Sequence, residues 1–166
     1  MGTLYAGTVG AGAYKAVAGH TFTTRAELLA GAQDPARFWE VLPTPADAGA
    51  GVRVVASRSH QNDETRAFIT ALEARCGEVE LVSIGSSLKI CLVAEGRADV
   101  YPRIAPTMEW DTGAAQAVLE AAGGTIVAYG TNEALRYNKE NLLNPYFVAS
   151  RSGWERDVQA SPARGK

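Results

Sequence analysis

Three short polar stretches hold residue types that could do chemistry: EWDTG at 109–113, GSSLK at 85–89 and SRSH at 57–60. The first puts Asp111 at the mouth of a segment that is otherwise almost all alanine and aliphatic. A carboxylate there can cap the helix by accepting hydrogen bonds from its free N–H groups. It can equally serve a Mg2+ site, which takes one or two carboxylates together with waters and phosphate oxygens. Glu109 is close in sequence but points away, and QDPARF around Asp34 has no second acid two or three positions on. A metal at Asp111 would therefore need partner carboxylates that this pattern does not display. In GSSLK, Gly85 permits a tight turn, Ser86 and Ser87 bring hydroxyls to a helix start, and Lys89 adds a positive charge one turn in. Free N–H groups at a helix start favour anions, so the set suits a phosphate. A serine-capped helix with a solvent-facing lysine accounts for the same residues. His60 closes SRSH in a polar loop, where it can hydrogen-bond a ligand, stack on a base or cap a helix.

These groups need a scaffold, and the flanking patterns supply one. TLYAGTV and AYKAVAG read as short antiparallel strands around the turn GAG. A glycine hairpin explains Gly7, Gly10 and Gly12 better than a phosphate loop, which requires a strand running into a helix. Residues 24–51 lack sustained periodicity and read as a connection between layers. Beyond them strands and helices alternate. VRVVA, EVELVSI, ADVYP, TIVAY and PYFVAS read as strands, and NDETRAFITALEARCG, SSLKICLVAEG and TGAAQAVLEAAGG as helices. The spacing of Thr65, Phe68, Ile69, Leu72 and Cys76 predicts one helical face, with Asn62 as cap and Gly77 as stop. The result is an α/β sheet covered on both faces. Ligands of such sheets bind beyond the carboxyl ends of the strands, which is where all three polar stretches fall. The terminal SPARGK should fray.

Composition narrows the function. A net charge of −2 lacks the clustered Lys and Arg that polymeric nucleic acid requires. No apolar run approaches the roughly 18 residues of a membrane span, and the first residues do not resemble a secretory signal. The two cysteines, Cys76 and Cys91, read as small buried hydrophobes in a reducing compartment. With two cysteines and two histidines, none at ligand spacing, a Cys/His metal site is excluded.

WDTGAAQAVLEAAGG resembles the C-terminal signature of the inositol monophosphatase superfamily, the Mg2+-dependent, lithium-sensitive phosphatases. VVASRSHQNDET, GSSLKICLVAEGRADVYPR and NKENLLNPYFVAS resemble, within it, the 3′(2′),5′-bisphosphate nucleotidases of the CysQ type. The resemblance runs from about residue 3 to 150. It implies a layered αβαβα fold. Residues 1–45 would be strands of the N-terminal sheet and a connection, 46–151 the C-terminal α/β part on the nucleotide side, and 152–166 a flexible tail. It also implies removal of the 3′-phosphate of adenosine 3′,5′-bisphosphate, a by-product of sulfate assimilation, in the cytoplasm. Asp111 would bind a catalytic Mg2+ and the substrate. His60 would lie against the adenine, Ser86 and Lys89 would meet the 5′-phosphate region, and Arg103 would assist either. The expected partner is a small nucleotide, with no polymer and no transmembrane segment.

The chain departs from the pattern upstream. Neither the glutamate pair nor D-P-[LI]-D-G-T, which carry the superfamily's other metal ligands, is present. Gly113 stands where alanine is frequent, and GAQDPARFWEV resembles an insertion. The chain is thus expected to match the C-terminal portion of a longer enzyme and to be nearly inactive alone. Apolar faces near residues 3–24 would promote self-association or require the missing half. Inositol phosphate or fructose 1,6-bisphosphate are alternative substrates, and a non-catalytic nucleotide-binding or interaction module is an alternative role.

Overall fold

The computed structural model describes residues 3–16, 24, 26–27, 38–44, 51–56, 61–83 and 88–154. Eight strands are β1 Tyr5–Thr8, β2 Gly12–Ala16, β3 Trp39–Leu42, β4 Val52–Val55, β5 Val79–Val82, β6 Val100–Arg103, β7 Thr125–Ala128 and β8 Phe147–Ser150. Among the described residues, three helices are α1 Asp63–Cys76, α2 Leu88–Ala94 and α3 Glu109–Ala121. Among the described residues, no helix is long and apolar enough to cross a membrane.

Two sheets form. A five-stranded sheet has the order β5-β4-β6-β8-β7. Strand β4 runs parallel to β5 and β6, while β8 is antiparallel to both β6 and β7. Period-two alternation splits its side chains between two cores. Val52, Val54, Val100 and Val148 meet Phe68 and Leu72 of α1 on one face. Val55, Tyr101, Phe147 and Ala149 face α2 and α3 on the other. The sheet is therefore covered on both faces, as expected for an α/β protein.

Helix α1 forms where its face and caps place it. Asn62 Oδ1 accepts from Thr65 N, and Gly77 ends the helix at φ 87°. Acids in the first turn and Arg75 in the last suit the helix dipole. Phe68 and Leu72 are buried, each contributing roughly 1.5–3 kcal/mol. Cys76 at the end of the same face is half-buried rather than buried, because it sits in the last turn beside the open stop; Cys91 is buried.

A second, three-stranded antiparallel sheet, β1-β2-β3, closes over α3. The expected hairpin is present, but the span read as a pure connection also holds a strand, β3. WEVL is too short to show periodicity, and its pairing of Trp39 with Ala16 and Leu42 with Ala13 is a long-range contact. Strand β1 lies so close to α3 that a Cβ on Gly7 would stand 2.7 Å from Val118 Cα, which requires glycine there. Buried Glu95, at the end of α2, binds Lys15 Nζ at 2.8 Å and the Tyr5 hydroxyl, fastening this sheet to the helices. Burial, and then Glu95, push the Tyr5 phenol well above its ordinary pKa. The expected fraying of SPARGK concerns residues outside those described.

Asp99, 2% exposed, ties the strands of the large sheet together. Its carboxylate accepts from Arg53 N at 2.7 Å, from Arg53 Nη2 at 3.0 Å and from Arg151 Nε. Burial pushes its pKa up, but the bonds from Arg53 and Arg151 outweigh this and leave it below the ordinary value. Its contribution is therefore complete above the unfolded pKa near ~4 and is lost as pH falls through the folded value. Asp99→Asn should lower unfolding free energy by about 3 kcal/mol at neutral pH, and the gap should shrink below pH ~4. Urea titrations across pH check both. A second expectation concerns Gly113 inside α3. An added Cβ would meet the Tyr137 ring at an ordinary 3.4 Å. Gly113→Ala should stabilise the chain by roughly 0.5–1 kcal/mol, read by the same titration.

Candidate active site

The site is assembled where β6 ends and α2 and α3 begin. Tyr101 and Arg103 sit two residues apart on β6 and so share a face. The Tyr101 ring meets Phe147 edge-on at 5.9 Å, and the Lys89 ammonium stands 5.7 Å from the Tyr101 ring centre. Arg103 Nη2 donates to Pro106 O at 3.1 Å, while its buried Nε has no hydrogen-bond partner among the described residues. An unpaired buried donor is costly and favours an arriving acceptor.

Lys89, Tyr101, Arg103, Trp110, Asp111 and Phe147 line one open cleft of about 460 Å³. A smaller hollow of about 190 Å³ adjoins it, sharing Lys89, Tyr101 and Arg103 and adding Asn62 and Thr65. Asn62 Nδ2 donates to Ile104 O at 2.7 Å, tying the start of α1 to the end of β6 beside Arg103. The structure thus brings together Lys89, Arg103 and Asp111. His60 and Ser86 lie outside the described residues.

The electrostatics are lopsided. Burial lowers the Lys89 pKa, and nearby Arg103 lowers it further. Burial raises the Tyr101 pKa against the opposing pull of Arg103. Two cations crowd one wall, and the protonated form of Lys89 is disfavoured there, the situation an anion relieves.

Asp111 is placed differently from either bare expectation. The helix begins at Glu109, so Met108 is the cap position and Asp111 the third helical residue. Its Oδ2 accepts from Met108 N at 2.8 Å, which satisfies one backbone donor. Its Oδ1 takes no hydrogen bond from the described residues, and the side chain is exposed at the cleft. Glu109 turns away, as expected, and binds Lys139 instead. Among the described residues, no three carboxylate, imidazole or thiol groups converge on a point. What is present fits a hard cation drawing one carboxylate oxygen from Asp111 and its other ligands from phosphate oxygens, water or further donors.

Sequence reasoning missed Tyr101 and Trp110. Tyr101 carried a readable signal, its two-residue spacing from Arg103. Trp110, 67% exposed, carried one in being a large aromatic beside the candidate ligand.

A profile of the inositol monophosphatase family matches residues 1–161. The chain belongs to the inositol monophosphatase family. It is similar to the 3′(2′),5′-bisphosphate nucleotidase CysQ of Salmonella typhimurium, 47% identical over 95 residues, which are 57% of this chain and 37% of that protein. The CysQ of Escherichia coli is likewise 47% identical over 98 residues, covering 58% of this chain and 38% of the relative. The crystal structure of CysQ from Bacteroides thetaiotaomicron superposes with a TM-score of 0.74 at 47% identity, over 90% of this chain and 54% of that one. SuhB of Mycobacterium tuberculosis has the same fold, with a TM-score of 0.57 at 19% identity over 96% of this chain and 53% of that one. The chain thus spans about half the solved CysQ structure, and its match covers under two fifths of the curated relatives. The resemblance read from WDTGAAQAVLEAAGG is borne out, and so is the layered α/β fold it implied.

The crowding of Lys89 and Arg103 sets a pH dependence for anion binding. Sulfate keeps its charge over the relevant range, so its affinity should hold while Lys89 is protonated. It should fall as pH rises through the lowered lysine pKa, below the ordinary ~10.4. Calorimetric titration with sulfate reads this, and Lys89→Met should weaken binding about tenfold and flatten the profile.

Proposed function

We propose that this cleft is the nucleotide side of a Mg2+-dependent phosphatase that removes the 3′-phosphate of adenosine 3′,5′-bisphosphate to leave AMP. The observation that carries this reading is the meeting of Asp111, with one carboxylate oxygen free among the described residues, and two cations, Lys89 and Arg103, in one cleft. The similarity to proteins named 3′(2′),5′-bisphosphate nucleotidase supports the choice of a nucleotide substrate.

In this reading the phosphate charges rest on Lys89 and on the Nε of Arg103, which has no partner among the described residues, and the Tyr101 face offers an apolar surface beside them. Asp111 would supply one oxygen to the cation. Bound Mg2+ would neutralise developing charge and align the attacking water with the leaving oxygen. Hydrolysis adds that water to phosphorus and breaks the P–O bond at the 3′ position, with the 3′ oxygen leaving protonated. The described residues hold the substrate and orient one metal ligand. The turnover of this chain alone should therefore be far below that of a full-length CysQ.

Calorimetry with adenosine 3′,5′-bisphosphate, beside a phosphate-release assay with Mg2+, tests this. Binding should be measurable and weaken about tenfold in Arg103→Met, while phosphate release stays slow. Absence of nucleotide binding overturns the reading. Faster release from inositol phosphate than from nucleotide would move the substrate elsewhere in the family.

A further inference from the structure

Residues 135–144 run as a strap across the first turn of α3, and their grip on it is dense. Glu109 N donates to Leu142 O at 2.9 Å, and Asn144 N to Thr107 O at 2.9 Å. Asn144, 4% exposed, sends Nδ2 to Met108 O at 2.9 Å, to Thr112 Oγ1 at 3.1 Å and to Thr107 Oγ1 at 3.3 Å. The Tyr137 hydroxyl lies 3.0 Å from Thr112 Oγ1. Glu109 answers from the helix side. Its carboxylate accepts from Asn138 N at 2.6 Å, from Lys139 N at 3.3 Å and from Lys139 Nζ.

Taken along 107–112, the strap holds Thr107, Met108, Glu109 and Thr112. The two residues it leaves, Trp110 and Asp111, both line the cleft, between the held Thr107 and Thr112, which line it too. This arrangement answers a local weakness. Methionine is a poor cap residue, because it brings no oxygen to the free N–H groups, and a helix end without partners frays. The N–H that orients Asp111 Oδ2 belongs to Met108, whose own carbonyl is held by Asn144. Loosening the strap therefore loosens the atom that aims the carboxylate.

We infer that this strap is a positioning device for Asp111, with Glu109 and Asn144 as the positioning residues that aim its free oxygen at a cation. The inference rests on the reading of Asp111 as a cation ligand. Partners of this kind, one step removed from the ion, typically change metal affinity about 10–100-fold. Glu109 alone would not coordinate the ion, since its carboxylate is saturated by the strap.

The test uses Mn2+ as the probe, with adenosine 3′,5′-bisphosphate present, and follows paramagnetic broadening of the Trp110 indole N–H and the amides of 108–112 by NMR. The wild-type chain should show broadening centred on Asp111 that Asp111→Asn removes. Glu109→Gln, which keeps the side chain's shape, should weaken the apparent Mn2+ affinity about tenfold. It should also speed amide hydrogen exchange at Met108 and Asp111, leaving metal-free nucleotide affinity unchanged. Asn144→Ser provides the second variant, with the same direction of change. Asp99→Asn, which weakens the fold elsewhere, should leave the Mn2+ affinity of the folded chain alone. If both strap variants bind Mn2+ as the wild type does, the positioning role is wrong while the ligand reading stands. If the wild type itself shows no broadening at Asp111, the ligand reading fails and takes the inference with it.

Discussion

Helix α3 lies between two sheets, with β1 pressed so close that Gly7 cannot carry a side chain without striking Val118. This squeeze explains why the helix is rich in alanine. A segment flanked by β1 and β2 on one side and α2 and β7 on another has no room for long side chains on its inner faces. The squeeze also sets the direction of the helix axis. Once that is set, the first turn of α3 must emerge at the carboxyl end of β6, beside Arg103 and Lys89. The cleft is a consequence of the packing, and Asp111 arrives there because it is the third residue of that turn.

Two kinds of charged group stand side by side in this frame. Glu95 and Asp99 are saturated: each carboxylate meets cations and hydroxyl or backbone donors, and their partners come from three different elements. Such groups fasten strands together, and their full pairing leaves nothing to offer a ligand. The cleft residues are deliberately incomplete by comparison. Among the described residues, Arg103 has a buried donor without an acceptor, Lys89 is held near a like charge, and Asp111 has an oxygen to spare. Unmet hydrogen-bonding capacity beside saturated networks marks the place where an anion and its counter-cation would complete the structure.

Much of the fold was legible. The cap at Asn62, the stop at Gly77 and the face running through Phe68 and Leu72 all depend on residues within one helix, so local chemistry foretold them. The hairpin at the start and the alternation of strands and helices were readable for the same reason. Strand β3 was not, because WEVL becomes a strand through pairing with β2 across an intervening stretch of more than twenty residues. The third helix was read from Thr112, and it begins at Glu109. Met108 is a cap position that no propensity rule would choose; Asp111 accepts its N–H, while a segment more than thirty residues later accepts the Glu109 N–H and holds the Met108 carbonyl.

For the site, the sequence by itself supplied the charged groups: Asp111 and Lys89 were named from type and setting, the family followed from the motifs around them, and Arg103 was named from that resemblance. Tertiary structure alone decided that these three meet in one cleft, that Tyr101 and Trp110 complete its walls, and that Lys139 is the partner of Glu109. The division has a simple physical cause. Residue types and short spacings are written along the chain, whereas the mutual distance of groups tens of residues apart is set by how helices and sheets pack.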